Sequence, residues 1–139
     1  MKVMGIDPGI TDPIGWYFID GALSESGLIA TPSKYKAQHW YEEINVLLTL
    51  WKPDVLLVCK PAGRFGGVLF AQGKQCGVIQ CLCEKKGIKY IEKHDSRYRL
   101  AIKPFPTKKM VQEISGLPNH ISDAWMAVQW YLKENEQKD

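Results

Sequence analysis

The sequence predicts an α/β domain built on a five-stranded mixed sheet, with three antiparallel strands first, two parallel strands after them, and flanking helices. Strong turn signals at Asp7-Pro8-Gly9 and Asp20-Gly21 separate short apolar runs within the first 30 residues. Apolar runs of strand length then alternate with segments of helical periodicity. The chain has 139 residues, of which 45% are apolar, so we expect a single domain spanning residues 1–139.

The first three strands are predicted from turn chemistry. Lys2 to Asp7 is a short β-rich run, and Ile14 to Ile19 is the second strand. Asp-Gly is typical of a tight hairpin turn, so Ala22 to Ile29 is expected to return as a third, antiparallel strand.

The central elements follow from periodicity. Lys36 to Trp51 carries apolar residues at helical spacing. Val55 to Val58 is continuously apolar, as expected of a central strand that is buried on both faces. A glycine-rich loop, Pro61 to Gly67, precedes a long helix from Val68 to Lys86, and Gly87 is a plausible C-cap.

The last third is less regular. Ile88 to Ile91 is the fifth strand, and Glu92 to Pro106 is polar, basic and irregular. We expect a short helix over Thr107 to Ile114 and a final helix that begins at Asn119 or Ser122 and reaches about Lys133. The predicted order is β-β-β-α-β-α-β-α-α.

Composition narrows the class of protein. No apolar run approaches the roughly 20 residues of a membrane span, and an acid interrupts the first apolar stretch, so we expect a cytoplasmic protein. The net charge of +3 permits nucleic-acid binding without establishing it. The four cysteines form no CxxC pair, which argues for reduced thiols rather than a zinc site. These cysteines are Cys59, Cys76, Cys81 and Cys83, and the last three are expected to be small buried residues of a helix.

Two separated segments carry acidic residues in positions suited to chemistry. Asp7 ends the first strand, and ligands bind at the carboxyl ends of such strands. A carboxylate there suits a hard cation such as Mg²⁺, although Asp-Pro-Gly is also ordinary turn chemistry. His120 and Asp123 are three residues apart near the start of the last helix and share one face, but an Asp there also serves as a cap.

Together these segments resemble the RuvC family of Holliday junction resolvases, and the resemblance spans nearly the whole chain. The opening Gly5-Ile6-Asp7-Pro8-Gly9 and the closing Asp123-Ala124 match that family's first strand and last helix. Gly73-x-x-x-Gly77-Val78 is similar to its Gly-Gln-Ala-Arg-Gly-Val segment, and Thr107-Lys108-Lys109-x-Val111 is similar to its Ser-Lys-x-x-Val stretch. In size the chain resembles the short resolvases encoded by phages, which would place it in a bacterial host's cytoplasm.

The resemblance implies an RNase H-like fold and a metal-dependent endodeoxyribonuclease. Such an enzyme hydrolyses phosphodiesters in branched DNA with two Mg²⁺ or Mn²⁺ ions per site. Asp7 and Asp123 match the family's metal-binding carboxylates, and His120 falls where the family has Asp or His. An imidazole there could ligate metal, assist proton transfer or only cap the helix.

The sequence departs from the family at Cys59, which occupies the position of a Glu at the end of the fourth strand. A neutral thiol is a poor ligand for hard cations, so the site is one carboxylate short. Three explanations stay open. The chain is an inactive variant that still binds junctions; it uses another acid, such as Asp12 or Asp95; or it works with fewer protein ligands. A nucleophilic role for Cys59 lacks a visible base.

DNA contacts are expected from the loop after the fourth strand and from nearby basic side chains. The alternative is that these basic residues only form a solvated surface. The candidates are Lys60, Arg64, Phe65, Lys74, Lys108 and Lys109. Symmetric cutting of two strands implies a homodimer, and we expect the dimer face on the Val68 to Lys86 helix. The residues expected on that face are Cys76, Ile79, Gln80 and Cys83, although burial in the monomer explains the same spacing.

Two other functions compete with a nuclease. A junction-binding protein without catalytic activity is favoured by Cys59. An actin-like ATPase or sugar kinase opens with a similar Gly-Ile-Asp-x-Gly phosphate loop. Those proteins generally need two such domains and a second phosphate motif, and neither is visible in this sequence, so no nucleotide cofactor is expected.

Overall fold

The computed structural model describes residues 1–10, 12–30, 37–60, 66–101 and 107–136. It contains one five-stranded sheet. The strands are β1 (Lys2–Asp7), β2 (Ile14–Asp20), β3 (Leu23–Ile29), β4 (Val55–Lys60) and β5 (Lys89–His94). The helices are α1 (Ala37–Trp51), α2 (Gly66–Lys86), α3 (Asp95–Ala101), α4 (Lys108–Ser115) and α5 (Asn119–Glu136).

The sheet is mixed, as the sequence predicts. Its strand order is β3-β2-β1-β4-β5, and β1, β2 and β3 pair antiparallel. β4 and β5 run parallel to β1, so the carboxyl ends of β1, β4 and β5 lie at one edge. Gly21 has a φ of 60° in the two-residue turn between β2 and β3, a conformation that glycine adopts without steric cost.

Two apolar cores cover the two faces of the sheet. On one face α1 and α2 pack with buried residues such as Trp40, Leu56 and Ile79. On the other face α5 packs with α3 and α4, and this core includes Tyr98, Val111 and Val128. β4 contributes to both cores, because its successive side chains point to opposite faces and all but the last are buried.

Two glycines let α5 lie unusually close to the strands. A Cβ on Gly5 of β1 would overlap the carbonyl oxygen of Ala124, and a Cβ on Gly15 of β2 would overlap the backbone of His120. Neither clash can be relieved by a flexible side chain, because the atoms met are mainly backbone. The first turns of α5 therefore pack directly against the strands, and this places the helix beside the end of β1.

The polar segment after β5 is the main departure from the predicted elements. It was expected to be irregular from Glu92 to Pro106, but β5 continues to His94 and α3 follows directly over Asp95–Ala101. Tyr98 stabilises α3, since it is fully buried and its hydroxyl donates to the carbonyl of Val58 at 3.0 Å. Residues 102–106 lie outside the described part of the chain.

Two expectations about the long helix α2 are also corrected. Cys76, Ile79 and Cys83 point into the monomer core, so the face named for dimer contacts is already covered by α1 and the sheet. Cys81 was expected to be buried but is exposed, because it lies on the opposite side of the helix. All four cysteines are free thiols. No helix in the described part of the chain is long and apolar enough to span a membrane.

Candidate active site

The alternation of side chains along the strands brings Asp7 beside Cys59. β1 and β4 are parallel neighbours in which Ile6 pairs with Val58, so the next residues on each strand are Asp7 and Cys59. Val3 of β1 and Leu57 of β4 pack in the core beneath α5, and Asp7 and Cys59 continue those two rows. Both side chains therefore lie under the first turns of α5.

The start of α5 completes a cleft at this edge of the sheet. His120 and Asp123 lie on one face of α5, as their spacing predicts, and both line the cleft with Asp7 and Cys59. Its volume is about 250 Å³. The remaining ionisable side chains that line it are Asp12, Asp95 and Lys108. The structure thus brings all four residues named as catalytic candidates into one cleft.

Each of the two central acids has a basic neighbour. The Nδ1 atom of His120 lies 3.0 Å from Oδ2 of Asp7, and its Nε2 atom lies 3.7 Å from Oδ2 of Asp12. The Nζ atom of Lys108 lies 3.3 Å from Oδ2 of Asp123. Lys108 is the first residue of α4, whose N-cap Thr107 accepts a hydrogen bond from the backbone N–H of Met110.

Burial makes negative charge costly at this site. Desolvation, followed by repulsion from Asp123, raises the pKa of Asp7 to about 7. Burial also raises the pKa of Asp123, with Lys108 acting in the opposite direction. Asp123 is 1% exposed, and its Oδ1 atom has no hydrogen-bond partner among the described residues. The cleft therefore holds two carboxyl groups with less compensating positive charge than two carboxylates need.

Cys59 is a neutral thiol in this setting. It is 1% exposed, and its Sγ–H donates to the carbonyl oxygen of Asp123 at 3.3 Å. Burial raises its pKa well above the ordinary value, and the negative charges of Asp7, Asp123 and Asp95 raise it further. A thiolate nucleophile or metal ligand is disfavoured at this position, so the missing carboxylate is not replaced by sulfur.

Gln75 is a site residue that the sequence analysis did not identify. It is fully buried on α2, its Oε1 accepts from the N–H of Gly9 at 3.0 Å, and its Nε2 donates to the carbonyl of Gly9 at 2.8 Å. This double hydrogen bond fixes the turn that follows Asp7. No spacing rule links two residues 66 positions apart, so only the folded structure shows the contact.

The basic candidates are distributed over several surfaces. Of those described, Lys108 lines the cleft. Lys60 ends β4 and lies 3.8 Å from Glu92 of β5, and Lys74 is exposed on α2. Lys109 is exposed beside Lys108 at the start of α4. Arg64 and Phe65 lie outside the described residues and remain expectations from the sequence.

Comparison with solved structures identifies the fold. Thermus thermophilus RuvC, solved in complex with a Holliday junction substrate, superposes with a TM-score of 0.75 at 18% identity, covering 96% of each chain. The fowlpox virus Holliday junction resolvase gives 0.56 at 18% identity, over 96% of this chain and 99% of the viral one. The yeast mitochondrial Holliday junction resolvase gives 0.54 at 14% identity, over 98% and 84%.

These matches establish an RNase H-like fold of the RuvC type. The three-antiparallel, two-parallel strand pattern and the placement of the final helix agree with the predicted fold class. At these identities the likeness concerns the fold alone. No family model and no curated protein sequence matches the chain.

Proposed function

We propose that this RuvC-like domain is a Holliday junction resolvase, a structure-selective endodeoxyribonuclease that hydrolyses phosphodiesters in branched DNA with divalent metal ions. The observation that carries this proposal is the pairing of buried Asp7 and Asp123 at the carboxyl edge of the sheet. Structurally similar proteins include resolvases, two of which were solved in complex with a Holliday junction, and this supports branched DNA as the substrate class.

The central donor set fits the divalent metal that the fold family implies. Asp7 and Asp123 fit a hard divalent cation, since both are carboxyl groups and Oδ1 of Asp123 is buried without a hydrogen-bond partner among the described residues. In the part of the chain that the structure describes, no three His, Cys, Asp or Glu side chains form a ready ligand group. The central pair therefore fits one ion, and a second needs a further donor.

The residues of the cleft have separable roles in this proposal. A bound divalent ion would neutralise charge on the phosphate and acidify a water molecule. Asp7 and Asp123 would bind that ion through their carboxylate oxygens. Lys108 contributes a cation beside Asp123 that stabilises negative charge developing on the phosphate. His120, held by Asp7 through Nδ1, can accept or release a proton at Nε2 on the side facing Asp12.

DNA binding is assigned to the basic residues around this edge. Lys108 and Lys109 lie at the start of α4 next to the cleft, so they are suited to the phosphates that flank the cut. Lys60 and Lys74 lie further out and fit backbone contacts along the arms of a junction. We expect Arg64 to bind phosphate and Phe65 to stack at the branch point, as the sequence analysis suggested.

The proposal includes a homodimer, with its interface on the exposed side of α2. Gly73, Gly77 and Cys81 are all exposed and follow one another at four-residue intervals, so they lie on one stripe of the helix. Among the described residues, a Cβ at Gly73 or Gly77 would meet no atom within 4 Å, so no packing contact in that part of the chain requires glycine there. Glycine costs a helix about 1 kcal/mol relative to alanine, and close approach of a second α2 would explain both residues.

A junction-binding protein without catalytic activity is the second candidate. Cys59 in place of a carboxylate favours it, as does the absence of a three-ligand group among the described residues. In that case Lys108 and His120 would permanently balance the buried acids.

Cleavage of a synthetic four-way junction tests the nuclease. The unmodified protein is expected to nick the junction in Mg²⁺ or Mn²⁺ and to bind it at least tenfold more tightly than duplex. Asp7→Asn should reduce the cleavage rate more than about 100-fold, since even outer-sphere partners of metal sites cost 10–100-fold. Junction binding by that variant in EDTA should be retained.

The same assay separates the two candidates. If the unmodified protein binds junctions selectively but cuts none in either metal, the binding protein is the right assignment. If it binds junction and duplex equally, the resolvase assignment fails in both forms.

A further inference from the structure

We infer that Asp95 supplies the third carboxylate of the metal site, taking over from the neighbouring strand the role for which Cys59 is unsuited. The inference rests on the proposed metal-dependent function and names a ligand for it. Cys59 offers a hard cation only a soft sulfur atom, and this Sγ–H donates to the carbonyl oxygen of Asp123. Besides Asp7 and Asp123, two other acids line the cleft, Asp95 and Asp12.

The end of β5 brings Asp95 to the cleft. β5 lies next to β4 and parallel to it, with Cys59 paired with Lys93. Asp95 is the first residue of α3 and follows directly after the end of β5. Its side chain lines the same cleft as Asp7 and Cys59. The three residues therefore lie at or just beyond the carboxyl ends of three adjacent parallel strands.

A buried anchor holds α3 in this position. The hydroxyl of Tyr98 donates to the carbonyl of Val58, the residue before Cys59. Asp95 lies one helical turn before Tyr98 on the same face of α3. This hydrogen bond holds α3, which carries Asp95, against the end of β4, where Cys59 occupies the position of the family's Glu.

Asp123 presents a buried carboxylate oxygen that would bind the same ion as Asp95. The Asp123 side chain is almost fully buried, lines the same cleft, and has an Oδ1 atom without a hydrogen-bond partner among the described residues. Arg99 lies one turn after Asp95, and its Nη2 atom is 3.4 Å from Oδ2 of Asp95. Arg99 thus balances the Asp95 carboxylate and would release it towards a divalent ion.

Asp12 fits the role less well. Its side chain is 68% exposed, and its Oδ2 atom lies 3.7 Å from Nε2 of His120. Asp95 is 30% exposed and follows β5, the strand that pairs with β4 and Cys59. We therefore assign the third carboxylate to Asp95 rather than to Asp12.

Mn²⁺ binding to the unmodified protein and to Asp95→Asn, measured by isothermal titration calorimetry, tests this assignment without requiring catalysis. We expect Asp95→Asn to weaken Mn²⁺ binding at least tenfold. Arg99→Gln breaks the same ion pair but keeps the carboxylate, so it should bind Mn²⁺ as tightly as the unmodified protein or more tightly. Glu43→Gln removes an exposed acid from α1 and should change nothing.

A double-variant comparison sharpens the result. Cys59→Asp restores an acid on β4 and should recover Mn²⁺ binding by at least fivefold in the Asp95→Asn background, with a smaller gain in the unmodified protein. Circular dichroism without metal identifies variants that do not fold, and Asp95→Asn alone carries the test if Cys59→Asp is among them.

Several outcomes would overturn the assignment. If Asp95→Asn binds Mn²⁺ as tightly as the unmodified protein, Asp95 is not a metal ligand. The proposed nuclease still stands in that case if Asp7→Asn abolishes cleavage. A loss caused by Asp12→Asn instead assigns the third carboxylate to Asp12. Equal losses in Asp95→Asn and Arg99→Gln mean that the ion pair is only structural. Failure of the unmodified protein to bind Mn²⁺ or cut a junction overturns both this inference and the proposed nuclease.

Discussion

At the scale of single residues, ionisation of a buried acid in the cleft lowers the stability of the folded protein. Asp7 is largely buried near Asp123, and its pKa is raised from 3.8 to about 7. The folded state therefore favours the protonated acid. The resulting cost to stability is absent below about pH 4, grows as the pH rises towards 7, and is complete above it. A shift of this size corresponds to a few kcal/mol, on the order of 2–4.

Asp7→Asn should therefore make the metal-free protein more stable. The amide keeps the shape of the side chain and can still hydrogen-bond to His120, but it carries no charge. We expect a gain of about 1–3 kcal/mol in the free energy of unfolding at pH 8, and a smaller gain at pH 5.5. Urea denaturation in EDTA measures both values, with Glu43→Gln as an exposed control. A loss of stability at pH 8 would instead make the Asp7 carboxylate a structural group.

At the scale of elements, sequence patterns predicted the strands and the long helices but not the contacts between them. Continuous apolar runs predicted β4, and helical spacing predicted α1 and α5. α3 was missed because its seven residues are mostly polar, and its stability depends on burying Tyr98 against β4. The same limit hid Gln75, whose partner Gly9 becomes a neighbour only after folding.

The contact between α2 and the turn after β1 gives a prediction at this scale. Gln75→Ala would leave the buried N–H and carbonyl of Gly9 without their partners, and each such loss costs about 1–3 kcal/mol. We expect the free energy of unfolding to fall by about 2–4 kcal/mol and the amide of Gly9 to exchange faster with solvent. Gln75→Glu should destabilise as well, since its second oxygen would face the Gly9 carbonyl.

Gln80 provides the matched control for this prediction. It lies on the same helix, but its side chain is exposed and bonds only weakly to Glu84, at 3.4 Å. Gln80→Ala should change the unfolding free energy by less than about 0.5 kcal/mol. Equal effects of the two alanine variants in urea denaturation would mean that Gln75 does not hold the turn.

At the scale of the whole molecule, a few distant motifs predicted the fold, whereas three of the four residues expected at the dimer face belong to the core. The opening Asp7 motif and the closing Asp123-Ala124 pair led to the correct architecture, because both are placed by the same sheet edge. The dimer face was assigned to Cys76 and Cys83 because periodicity identifies an apolar face without saying what covers it. The structure assigns that face to the core and leaves Gly73 and Gly77 outside.

Gly77→Glu tests the dimer interface that we propose on the exposed side of α2. A Cβ at Gly77 would contact none of the described residues, and replacing a helical glycine should not weaken α2. If two copies of α2 meet there, a glutamate from each copy must be buried close to the other, which costs several kcal/mol. Sedimentation velocity at micromolar concentration should then show a dimer for the unmodified protein and a monomer for Gly77→Glu, with unchanged circular dichroism. Ile114→Glu adds the same charge at an exposed position on α4 and should remain dimeric. A Gly77→Glu variant that sediments as the unmodified dimer would move the interface away from this stripe of α2.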